Sequence, residues 1–196
     1  MKQWAAQKKA RAKTARAAIK RYDETRSRSD RNAALDAIEL CLFRDESSES
    51  RLSVLLSLTE LAPAEIFWPA LTKFWGACDA TWDHQTKLLH AIQNAGKPGR
   101  QFLSKAQRTF FDELPSQVQV FRGCSRPRVR AVAWTADREV AEGFARGHRG
   151  IPVPEPVIAS AIISKEHIFF VTNDRKEREV ILNPRELHEL VLKPFP

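Results

Sequence analysis

The sequence predicts an α+β protein, a helical N-terminal region followed by a mainly antiparallel β-sheet domain. Two observations predict it. Through residue 114 the apolar residues recur at spacings of three and four, as on one side of a helix, and near Pro115 the spacing changes to two, as along a strand. Charge divides the chain in another way: residues 1–32 hold 11 Lys/Arg and 3 Asp/Glu, whereas the rest holds 21 of each. The expected layout is a basic helical arm and linker over 1–31, a helical region over 32–114 and an α+β domain over 115–196.

The first segment, Met1 to Ile19, is rich in Ala, Lys, Arg and Gln, all good helix formers, with Trp4 its only large aromatic. It lacks a sustained apolar stripe, so a solvated or loosely docked helix is expected. Such a basic helix serves solubility, attachment to nucleic acid, or contact with an acidic partner or membrane surface. Its lack of acids before Asp23 is also a trait of organelle transit peptides, without a clear cleavage site. Residues 25–32 read as a flexible linker.

From Asn32, a capping residue, a helix is expected through Arg44 with Leu35, Ile38 and Leu42 on one side. Ser50 opens the next, carrying Leu52, Leu55, Leu56 and Leu58 to Leu61. Pro63 suits the first turn of a third, and Pro69 is expected to kink it or delay its start. Asp79 starts a fourth that ends at Asn94–Pro98, and a short helix follows from Ser104 to Glu113. Trp68, Trp75 and Trp82 recur every seven residues, the spacing of helix packing. His84 and His90 lie about 600° apart around a helix, so they diverge and do not suggest a metal. This half reads as structural or as a surface for a partner.

Beyond Pro115, strands are expected at 117–123, 129–135, 156–163, 168–171, 179–182 and 187–192. Asp137 caps a helix over Arg138–Arg146, and residues 147–154, rich in Gly and Pro, read as a long loop.

The composition narrows the setting. A chain of 196 residues, 43% hydrophobic, is long enough for a good core and does not read as disordered. No apolar run approaches the ~18 residues that a bilayer span needs, so no membrane span is expected. Cys41, Cys78 and Cys124 are odd in number and far apart, a pattern that fits neither a disulfide framework nor a zinc site. A reducing, cytoplasmic setting without a metal is the expectation.

The residues that carry chemistry lie in the second half. Lys176-Glu177-Arg178-Glu179 runs from the polar turn Thr172–Arg175 into an apolar strand. Strand alternation would turn Glu177 and Glu179 to the same side, with Val180 and Leu182 on the other. Taken singly, this pair also suits a solvated strand edge, and Arg122 an ordinary strand end. In order, however, Val120-Phe121-Arg122-Gly123, then Ala133-Trp134-Thr135 with the helix after it, then Glu177-Arg178-Glu179 resemble the mono-ADP-ribosyltransferase superfamily. The resemblance is to its Arg/Ser-x-Ser/Glu branch and covers residues 117–192.

That resemblance implies NAD as substrate, no metal, and transfer of ADP-ribose to a target. Arg122, with Gly123 beside it, would hold the dinucleotide through its planar donor fork. Glu179 would stabilise the positive charge that develops on the nicotinamide ribose. Glu177 would orient an arginine acceptor on a protein target through bidentate pairing. Thr135 would brace the strands around the site, and Trp134 would lie under the adjoining helix. The family's middle motif usually begins with serine; Ala133 stands there. Two alternatives stay open: the same fold acting on nucleic acid, by ADP-ribosylation or RNA 2′-phosphotransfer and with residues 1–31 as the contact, or an inactive module that binds a partner or nucleic acid.

Overall fold

The computed structural model describes residues 2–147 and 152–196, and it divides into two units, Met1–Phe102 and Leu103–Pro196. Part of the expected loop over 147–154 therefore lies outside the described residues.

The first unit is helical: α1 (Lys2–Thr25), α2 (Arg28–Asp45), α3 (Arg51–Thr59), α4 (Ala64–Phe74) and α5 (Gln85–Ala95). The expected arm and linker are corrected here. α1 continues to Thr25, and α2 begins at Arg28 because Ser27, not Asn32, caps it by accepting from Asp30 N. α1 packs along α2, with Ala15, Ile19 and Tyr22 only 0%, 6% and 5% exposed. The docking stripe was hard to see because it is built around an alanine, which counts as apolar only where helices approach closely. Both Nε and Nη2 of Arg11 donate to the Asp45 carboxylate, and Lys8 Nζ lies 2.6 Å from Glu46. The Arg11 hydrogen bonds hold the Asp45 carboxyl below its ordinary range. The stability that pair contributes is therefore present above the usual aspartate range and lost as pH falls through the lowered one.

α3 and α4 fill the centre of this unit, with Leu52, Leu55, Ile66, Trp68 and Leu71 fully buried. Pro69 lies inside α4 instead of delaying it. α5 starts at Gln85, six residues later than expected, because Asp79 N is tied to Ser48 O and residues 81–84 form turns. Trp82 is accordingly only half-buried, unlike Trp68 and Trp75.

The second unit begins with α6 (Lys105–Glu113), which Ser104 and Gln107 close with a capping box. Phe110 and Leu114 join the core of the sheet, so the unit boundary falls at 102/103 and not at 114/115. The strands are β1 (Gln117–Ser125), β2 (Ala133–Thr135), β3 (Pro156–Ser164), β4 (Ile168–Thr172), β5 (Glu179–Leu182) and β6 (His188–Pro194), with α7 (Arg138–Ala145) between β2 and β3. They form one sheet in the order β4-β5-β2-β1-β3-β6, antiparallel in every pair. The predicted α+β class, helices first and antiparallel sheet second, is the class observed.

Two local expectations need correction. β2 is three residues long and not seven: Val129 and Arg130 continue the turn that Arg126–Arg128 begin, and the strand starts only at Ala133. Trp134 lies in the core cluster with Phe110 of α6 and with Leu114 just after it, not under α7, and its indole N–H donates to Ala131 O at 2.8 Å. No helix among the described residues is long and apolar enough to cross a membrane.

Candidate active site on strands β1, β2 and β5

The register aligns one row of side chains across the sheet. Thr172 pairs with Glu179, Glu179 with Thr135, and Thr135 with Phe121; the row continues through Ser160 to Val191. Directly opposed residues share a face, so Glu179, Thr135 and Thr172 stand side by side.

Thr135 is buried and makes the connection to the Glu-x-Glu segment. Its hydroxyl donates to Glu177 O at 2.7 Å and accepts from Asp137 N at 3.0 Å. The same side chain therefore ties the turn before β5 to the start of α7, whose first N–H groups Asp137 Oδ1 caps.

Glu177 itself is not in a strand. It ends a 3-10 turn over Asp174–Lys176, and β5 starts only at Glu179. Strand alternation therefore does not relate the two acids. The turn is strained: Arg175, Lys176 and Arg178 have φ of 62°, 61° and 44°, each a left-handed conformation that costs about 1–2 kcal/mol for a residue with a Cβ. Side-chain and backbone hydrogen bonds hold it in place. Asn173 Oδ1 accepts from Arg178 N at 3.0 Å, Thr172 Oγ1 accepts from Asp174 N at 3.2 Å, and Ala136 N donates to Arg178 O at 3.0 Å. Strain retained by such a network is typical of functional segments. Glu177 is only 8% exposed, and its Oε2 lies 3.2 Å from Arg175 Nη2.

Arg122 follows a different geometry from the two acids. It shares a face with Val120 and Cys124, whose side chains are in the core, and alternates with Phe121, so it leaves β1 on the face opposite Glu179. β1 and β2 share a single rung, Phe121 with Thr135. Beyond it they part, and the guanidinium bridges the gap: Nε donates to Arg128 O at 3.1 Å and Nη1 to Ala133 O. Burial pushes the Arg122 guanidinium below its ordinary range, while Cys124 and the Glu179 carboxylate push it back up. Arginine stays cationic throughout, and three of its five N–H donors remain outside these two bonds.

Gly123 is explained by packing. A Cβ there would meet Ala141 O at 1.7 Å and Ala145 N at 2.7 Å, so only glycine lets α7 lie this close to β1. Ala133, half-buried and opposite Ile181, shares the Thr135 face two residues along β2. The cysteines are buried and unpaired with one another, and no cluster that could hold a metal occurs among the described residues.

Three positioning residues escaped the sequence reading: Thr172, Asn173 and Arg175. Thr172-Asn173 carried a signal, since short side-chain oxygens before a turn often bond the backbone two residues on. Arg175 carried none, because its pairing with Glu177 depends on the left-handed backbone. No protein-family model matches the chain, and neither a curated protein nor a solved structure does.

Proposed function

We propose that the Leu103–Pro196 unit is an NAD-dependent mono-ADP-ribosyltransferase that modifies arginine side chains on a protein. One contact carries the reading: the Thr135 hydroxyl bond to Glu177 O, which joins the middle motif to the Glu-x-Glu turn while Thr135 faces Glu179 across one rung. The residues suit a dinucleotide in charge and donor type. Arg122 offers a fixed cation with N–H donors for phosphate or ribose oxygens. Glu179 offers a carboxylate for the ribose from the opposite face of the sheet, and its charge reaches Arg122 where β1 and β2 part.

The division of labour follows from placement. As the bond from ribose C1′ to nicotinamide breaks, positive charge grows on the ribose, and Glu179 stabilises it electrostatically. Glu177 sits on a turn fixed by four hydrogen bonds and already pairs with one guanidinium, that of Arg175. An acceptor arginine entering there exchanges one guanidinium for another. As its nitrogen bonds to C1′ it loses a proton, and Glu177 is the adjacent base.

Glu177→Gln is expected to lower transfer to a small guanidine such as agmatine by about 10²-fold, the usual size of a lost general base, while hydrolysis of NAD by water persists. Parallel assays of ADP-ribosyl-agmatine and free ADP-ribose decide this, and equal loss of both contradicts the role given to Glu177. Label from NAD appearing on RNA and not on protein would move the acceptor to nucleic acid.

Ala133→Ser tests the departure in the middle motif. A hydroxyl there lies diagonal to Glu179 across the β2–β5 pair. One added hydrogen bond of about 0.5–1.5 kcal/mol would raise kcat/KM for NAD by roughly two- to tenfold. An unchanged or lower kcat/KM shows that this position does not support the glutamate.

A further inference from the structure

We propose that the outer face of α1 is a binding surface for the phosphate backbone of nucleic acid. Lys9, Lys13, Arg16 and Lys20 are all exposed. Their spacing of four, three and four places them within about 60° of arc along about 16 Å of helix. Ala6, Ala10 and Ala17 are exposed beside this row and leave it open to close approach.

The charges are not used internally. Three other cations of α1 hold ion pairs: Lys8 with Glu46, Arg11 with Asp45 and Arg21 with Asp30. Lys9, Lys13 and Arg16 have no ion pair among the described residues, and Arg16 makes only a 3.3 Å bond to Ser57 Oγ. Lys20 faces Glu24 at 3.8 Å, with both side chains largely in solvent, a pair that contributes little. The only acids of α1, Asp23 and Glu24, are in its last turn.

The docked side of the helix selects the partner. A helix that binds a membrane surface inserts its apolar face, but Ala15, Ile19 and Tyr22 are buried in the helical unit. A protein interface draws its affinity from large apolar or aromatic anchors. The single large apolar side chain that α1 exposes among the described residues is Trp4, at 52%, and it lies on the line of the docked face, away from the cationic row. A rigid row of cations without an anchor suits a polyanion. Because α1 is held on α2, the row meets the partner in one fixed orientation. This surface belongs to the helical unit and does not rest on the transferase reading.

The test uses the full chain with fluorescent random-sequence duplex DNA or single-stranded RNA of about 20 nucleotides, over a salt titration. Four phosphate contacts predict a slope of log K against log salt of about −3.6 for the duplex and −2.8 for the single strand. Duplex affinity then falls about 10²-fold between 50 and 200 mM salt. The fourfold Lys9/Lys13/Arg16/Lys20→Gln variant keeps good helix formers at exposed sites, so it should retain its far-ultraviolet circular dichroism and lose nearly all of the slope. Lys9/Lys13/Lys20→Arg keeps the charges and should keep the slope. Absence of binding to either nucleic acid at low salt overturns the proposal, as does a slope the fourfold variant leaves intact. Tighter binding to phosphatidylserine vesicles than to either nucleic acid overturns it too.

Discussion

Glu179→Gln is expected to reduce nicotinamide release from NAD by about 10²- to 10³-fold, the size seen when one electrostatic contributor to a developing charge is removed. The substitution keeps the shape of the side chain and removes its charge. Glu179 opens β5, is half-buried, and stands between Thr135 and Thr172 in the row across the sheet. A neutral isostere keeps that row filled, so the melting temperature should move by no more than about 4 °C, as for other substitutions outside a core. Activity lost at nearly constant stability is the signature of a catalytic carboxylate. A parallel loss of both would make Glu179 a structural residue that balances the Arg122 cation.

Gly123→Ala has the opposite signature. The added Cβ meets backbone atoms of α7, at 1.7 Å from Ala141 O and 2.7 Å from Ala145 N. No rotamer change relieves a contact with backbone, so α7 must move off β1. Overpacking of this kind costs about 1–3 kcal/mol or more, which for a domain of this size lowers the melting temperature by roughly 4–20 °C. Thermal unfolding of the full chain, followed by circular dichroism, measures it. The resemblance places Gly123 beside the dinucleotide, and the two roles separate cleanly. Weaker NAD binding with an unchanged melting temperature supports contact with the dinucleotide, whereas a lower melting temperature supports packing under α7.

What the sequence made legible depended on how local its cause was. β3, β4, β5 and β6 lie within a residue or two of their expected bounds, because each alternates or runs apolar between turn residues. Ser104 and Asp137 marked the starts of α6 and α7, and both cap their helices through their own side chains. Contacts between distant segments were not legible. α1 docks through Ala15, Ile19 and Tyr22 and through Arg11 to Asp45, 34 residues away, and nothing in its own periodicity announces that. β2 stops short because β1 and β2 part after one rung, and the Arg122 guanidinium occupies the opening.

The candidate site divides along the same line. Thr135 was expected to brace the strands, and its hydroxyl does bond across to Glu177 O. The shared face of Glu177 and Glu179 was an inference from strand alternation, and a turn with three left-handed, non-glycine residues replaced the strand. Such residues read as ordinary polar sequence, since their conformation is imposed by Thr135, Asn173 and Thr172 and is not preferred by them. Arg122 was singled out by the family resemblance, since its place at the end of an apolar strand is by itself ordinary. That it leaves the sheet on the face opposite Glu179 required the register.

The activity proposed for this sheet is transfer of ADP-ribose from NAD to a guanidinium. Mass spectrometry of agmatine incubated with NAD and the full chain tests it most directly. The expected product is ADP-ribosyl-agmatine, in no greater amount than the nicotinamide released and suppressed by Glu179→Gln. Folded protein that yields no ADP-ribosyl-agmatine, or yields it at the same rate after Glu179→Gln, contradicts this activity.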